Sequence, residues 1–150
     1  MLSAPTVFFD EPVGLALSSV IKGQVVVTAG TGEPYLQDIL DLQPAALIVR
    51  SSIRNVTALL TEVTLDVRQS IYMGPYFQLT LTPCERRVLQ HISLGLCYKD
   101  IAKRLGKSPK TVQIQASALF KKLGVDNREM AAKEYWGSQR DNFVGLDNLL

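Results

Sequence analysis

Short apolar runs alternate with amphipathic stretches over the first fifty residues, and helical periodicity takes over after residue 80. Thr6–Phe9 (TVFF) and Gln24–Thr28 (QVVVT) are β-branched or aromatic and predict strands. Ala45–Val49 (AALIV) is a continuous apolar run, the pattern of a strand covered on both faces. Two helix-like stretches lie between these runs. Pro12–Lys22 is the first; Glu33–Leu42 is the second and carries Tyr35, Leu36, Ile39 and Leu40 at helical spacing. Strand, helix, strand, helix, strand predicts a parallel α/β sheet with right-handed crossovers. A further amphipathic stretch, Asn55–Gln69, leads to 71–79, where Gly74-Pro75 marks a joint.

The second half reads as helix throughout. Thr82-Pro83-Cys84-Glu85 is a capping box with proline at the first helical position. Leu89, Ile92 and Ser93 follow on one face, and Gly95 ends the helix. Tyr98–Leu105 is a short second helix closed by Gly106. Ser108 caps a third helix over 109–123, which Gly124 stops. Asp126 or Asn127 starts a fourth, which runs through Trp136 to Gly137. A short helix, a tight turn and a longer capped helix form the helix-turn-helix pattern. The expected organisation is an α/β domain over 1–70, a linker over 71–79, an all-α four-helix domain over 80–137, and a tail over 138–150. The end of that tail, Phe143–Leu150, is apolar enough to dock on the rest of the chain.

Charge divides the chain in the same way. Residues 1–78 hold four Lys/Arg against seven Asp/Glu (net −3). Residues 79–137 hold eleven against five (net +6). A basic module on a mildly acidic one predicts a polyanionic partner for the second half. No apolar run approaches the ~20 residues that span a bilayer, and the first residues lack the basic start and long apolar run of a signal peptide. The expectation is a cytoplasmic protein with no membrane partner. Cys84 and Cys97, with His91 between them, do not have zinc-ligand spacing, and a disulfide is not expected in a reducing compartment. His91 has no nucleophile arranged beside it, and no phosphate loop or metal cluster is legible. The expectation is therefore no enzymatic activity, cofactor, metal or small-molecule substrate.

The segments LTPCERRVL, GLCYKDIAKRL, SPKTV, KKLGV and NREMAA, correctly spaced over about fifty residues, closely resemble the LuxR/GerE/NarL family of four-helix DNA-binding domains. Val88, Leu89, Ile92, Ile101, Ala102, Leu105, Val112, Leu119, Leu123 and Val125 are the apolar set that packs such helices together. The resemblance implies a bacterial, nucleoid-associated regulator bound to double-stranded DNA, with helix 109–123 in the major groove. By position, Gln113, Ile114 and Ser117 face the bases, with Gln115 beside them. Glutamine can pair with adenine N6 and N7, and isoleucine can rest on a thymine methyl. Lys99, Lys107, Lys110, Lys121 and Lys122 are the expected phosphate anchors, together with Thr111 and the free N–H groups at the helix start. Lys103 and Arg104 lie on the second helix, as anchors or as solvated surface. In many relatives the fourth helix forms a dimer contact, which implies Met130, Glu134 and Tyr135 here. The competing expectation packs Tyr135 and Trp136 against the tail.

The first half more weakly resembles the receiver domain of response regulators, cut short. Thr6–Arg50 looks like its first three strands and two helices, and Asn55–Gln69 like its last helix, as if the middle were deleted. In that family an acidic pair after the first strand binds Mg²⁺, and Asp10 and Glu11 stand there. The phosphoryl-accepting aspartate falls on Arg50, give or take one residue, which implies regulation without phosphorylation. Arg50 is then expected either to pair with Asp10 or Glu11 in place of the cation or to stand solvated at the surface. A short sheet with a free edge predicts a constitutive homodimer through this half. The leading expectation is thus an atypical response regulator: a truncated pseudo-receiver joined to a LuxR-type domain. Two alternatives stay open. One is an adaptor or antagonist that pairs with another regulator. The other adds redox modulation through Cys84 and Cys97, because the start of the second helix favours a thiolate.

Overall fold

The structure is a computed structural model that describes residues 6–50, 71–74 and 81–137. The expected helix Asn55–Gln69 and the tail 138–150 lie outside the described residues. Four parallel strands form one sheet in consecutive order: β1 (Val7–Asp10), β2 (Val25–Thr28), β3 (Ala46–Val49) and β4 (Ile71–Met73). Val7 pairs with Val25, Val25 with Ala46, and Ala46 with Ile71. Both β2 and β3 are buried at every position, which is why they read as uninterrupted apolar runs. β1 is the outermost strand among the described residues, and its Phe9 is 57% exposed.

Three expectations need correction. Ile71–Met73 was expected to start the linker, but it adds a fourth strand beside β3. A three-residue strand before Gly-Pro carries too short a pattern to be legible. Pro12–Lys22 forms only one 3₁₀ turn, Leu15–Ser18. Gly14 opens it in the left-handed region at φ 109°, and the Ser18 and Ser19 hydroxyls both donate back to the Leu15 carbonyl, competing with helix propagation. Finally, the strands do not follow the first three of a receiver. A doubly wound sheet of the order 2-1-3-4-5 keeps its first strand inside, whereas here the first strand is at the edge.

Helix α1 (Glu33–Asp41) crosses from β2 to β3 and buries Tyr35, Leu36 and Ile39 against the sheet. The C-terminal half comprises α2 (Pro83–Ser93), α3 (Tyr98–Leu105), α4 (Pro109–Leu123) and α5 (Arg128–Trp136). The sequence signals for these four are met. Thr82 and Glu85 form the reciprocal capping box, Ser108 and Asn127 cap α4 and α5, and Gly106 and Gly124 close α3 and α4 with φ near +63° and +65°. One apolar core joins both halves and runs from Val26 and Leu47 through Tyr35 and Leu36 to Tyr135, Trp136, Leu89 and Leu119.

Candidate nucleic-acid interface

Helix α4 owes its orientation to a narrow apolar stripe. Val112, Ala116 and Leu119 are buried, so the opposite face must point outward. On that face Gln113 and Ser117 are exposed, and Ile114 is 62% exposed. An isoleucine so far out of the core is the apolar feature of an otherwise polar surface. Lys110 and Lys121 are exposed at the two ends of the helix. Lys99, Lys103 and Arg104 are exposed on α3. The strip is therefore uncharged in the middle and cationic around it.

Some expected anchors have partners within the protein. Lys122 pairs with Glu85 Oε1 at 2.6 Å, and Lys107 Nζ donates to Gln115 Oε1 at 3.0 Å and to Cys84 Sγ at 3.1 Å. Both links tie one flank of α4 to the N-terminus of α2. At the start of α4, the Thr111 N–H is taken by the Ser108 hydroxyl at 3.1 Å, and Pro109 has no N–H. The free donors expected there thus reduce to fewer groups. Ser117 donates its hydroxyl to the Gln113 carbonyl at 3.0 Å. Lys122, followed by the Thr82 backbone N–H, holds the Glu85 carboxyl below its ordinary range.

The proposed dimer face on α5 is overturned in part. Met130 and Glu134 are exposed, but Tyr135 is fully buried inside the chain. Its hydroxyl donates to Asp38 Oδ2 at 2.7 Å, and its ring lies edge-on to Tyr35 and Trp136, with centroids 5.9 Å and 4.8 Å away. Among the described residues, Tyr135 and Trp136 pack against the α/β half. Sequence reasoning did not anticipate this seam. Arg86, 5% exposed, reaches across it to Asp38 (2.8 Å) and to Asp41. The Thr31 and Gly32 N–H groups donate to the Trp136 carbonyl at 3.4 Å and 3.3 Å. A Cβ on Gly32 would overlap the Tyr135 carbonyl. Burial pushes the Asp38 carboxyl up, against the pull of Tyr135 and Arg86, and burial followed by the Asp38 charge pushes the Tyr135 phenol up. The sequence signal was modest: two aspartates three residues apart on α1, opposite one arginine in α2.

The acidic pair also has definite partners. Asp10 is fully buried. Its Oδ1 accepts from the N–H groups of Gly14 (3.1 Å) and Ala16 (2.9 Å), and its Oδ2 from the Thr28 hydroxyl (2.6 Å) and the Tyr35 hydroxyl. Glu11 pairs with Arg50, as expected for an arginine standing in for a cation. Cys84 and Cys97 are both exposed thiols; Cys97 donates to Asp100 Oδ2 at 3.0 Å. His91 Nδ1 meets the Arg87 carbonyl of its own helix at 2.6 Å.

Residues 79–134 match the family described as bacterial regulatory proteins, luxR family. They are a luxR-family helix-turn-helix domain. Over 58 residues, 38% of the chain, this domain is 43% identical to the transcriptional regulatory protein UhpA of Escherichia coli, covering 30% of that protein. The likeness to the transcriptional regulatory protein RcsB of E. coli extends beyond the luxR-family domain: 26% identity over 125 residues, 76% of this chain and 57% of RcsB. A solved structure of RcsB from Salmonella enterica serovar Typhimurium bound to promoter rprA shares 24% identity, with a TM-score of 0.45 over 77% of this chain and 60% of that one. The chain spans less than two thirds of the length of each of these relatives.

Proposed function

We propose that the chain is a sequence-specific regulator of transcription that binds double-stranded DNA through α4 and acts without aspartyl phosphorylation. The observation that carries this reading is the uncharged, outward strip Gln113–Ile114–Ser117, framed by exposed Lys110, Lys121 and Lys99. Phosphate contacts fix position while base edges are read in the groove, and this strip has the chemistry for both. RcsB, which this chain resembles over most of its length, has been solved on promoter DNA. Phosphorylation independence is supported by the state of the acidic pair. A receiver's Mg²⁺ needs carboxylate oxygens open to it. Here the two oxygens of Asp10 already accept four hydrogen bonds, and Glu11 is paired with Arg50. These residues do not fit the cation. Homodimerisation through the α/β half belongs to the same reading, because among the described residues β1 is the outermost strand and presents the exposed Phe9.

The test is selection from a random duplex library with reduced protein, followed by titration across salt. Enriched paired half-sites and a log–log salt slope of roughly −4, as for four engaged cations, are expected. Adding Mg²⁺ and acetyl phosphate should leave affinity unchanged. Flat, unselective binding would reject DNA reading, and a phosphate-dependent gain would reject the second clause.

A further inference from the structure

Within the proposed reading of DNA, one flank of α4 is built differently from the other. Lys107 lies in the turn before the helix and is half-buried. Its ammonium carries three N–H donors and no acceptor. One goes to Gln115 Oε1 at 3.0 Å and one to Cys84 Sγ at 3.1 Å. Because Lys107 can only donate, chemistry forces Gln115 to turn its carbonyl oxygen inward. Its Nε2 group is then the part left to face a ligand. The third Lys107 N–H is likewise a donor.

We infer that Lys107 and Gln115 form a preset donor-only pair that recognises a hydrogen-bond acceptor on DNA and cannot read adenine. Bidentate recognition of adenine needs one acceptor for N6–H and one donor for N7, and the Gln115 Oε1 is directed at the Lys107 ammonium, which leaves Nε2 as its outward group. Two adjacent acceptors, O6 and N7, are what guanine presents in the major groove. A phosphate oxygen presents the same chemistry on the backbone. Adenine reading therefore passes to Gln113 alone, which lies on the other side of Ile114. Cys84 is a positioning residue here: it holds the ammonium at the N-terminus of α2.

The inference rests on the proposed DNA-binding role, and the experiment separates the two. Library selection is run on the full-length wild type and on Q115A, Q115E, K107A, the K107A/Q115A double variant and Q113A, with affinities across salt. Glutamate at 115 keeps the contact to Lys107 and exchanges the outward donor for an anionic acceptor, so its folding is not at issue. If the pair reads guanine, the wild type prefers guanine at one position. Q115E and Q115A then lose that preference by about tenfold, and the double variant is scarcely worse than either single one. If the pair grips a phosphate, base preferences survive in K107A and Q115A, affinity falls evenly over all sites, and K107A lowers the salt slope by about one. An adenine preference that disappears with Q115A overturns the inference while leaving DNA binding in place. So does indifference to every change at 107 and 115 while Q113A still alters selection. No enrichment with wild type overturns both.

Discussion

Gly32 and Arg86 carry more of this structure than any pattern of apolar residues suggests. Gly32 has no side chain because the backbone of Tyr135 occupies that space. Gly32→Ala is expected to lower the urea midpoint through overpacking, by about 1–3 kcal/mol. Arg86 neutralises Asp38 where water is largely excluded, so Arg86→Ala should cost about 3 kcal/mol by stranding a carboxylate. The acid response of the fold combines opposite signs. The folded chain takes up the Asp38 proton at higher pH than the unfolded chain does, so this group adds stability as pH falls and withdraws it as pH rises through the raised value. Glu85 runs the other way: its contribution is present above its ordinary value of 4.5 and is lost as pH falls through the lowered one. Glu85→Gln should therefore weaken the fold by roughly 0.5–1 kcal/mol at neutral pH, and the gap to wild type should close in acid, as equilibrium unfolding at several pH values will show.

Among the elements, legibility followed how local the cause was. The caps of α2, α4 and α5 sit in the sequence beside the helices they start, so those helices could be read from Thr82, Ser108 and Asn127. The buried strands β2 and β3 could be read because both their faces are apolar. The 3₁₀ turn after β1 could not, because Asp10 captures its N–H groups from outside the segment. Helix α5 was legible as a helix, but not in what its buried face meets. Tyr135 has the same place on α5 whether it faces a second copy or α1, and only Asp38, 97 residues away, decides. The outward face of α4, Gln113, Ile114 and Ser117, was legible by position, but the Lys107–Gln115 link was not, since it depends on how tightly the turn brings the two together. At this scale Ser108→Ala should cost about 1 kcal/mol by uncapping α4, measurable as a lower thermal midpoint.

Across the whole molecule the two compositional halves behave as one packed body. The single tryptophan, Trp136, is 4% exposed and stacks in the seam beside Tyr35. Its fluorescence therefore reports the junction, while circular dichroism reports the helices. The two signals should change together on heating, as for one cooperative unit; Trp136 fluorescence changing well before helix loss would show the halves parting first.

The seam also bears on operator architecture. Where reading heads hang from flexible tethers, they follow half-sites through a range of separations. Here α2 and α5, which pack against α4, are held to the α/β half by the Arg86, Tyr135 and Trp136 contacts, and in the proposed dimer the sheet would set the distance between the helices proposed to read DNA. Adding one base pair between half-sites turns one of them by about 35° around the duplex axis, given ~10–10.5 base pairs per turn. A head held by a shared core cannot follow that rotation without breaking its own packing. Spacing between half-sites, as much as their sequence, would then decide which promoters this protein can occupy.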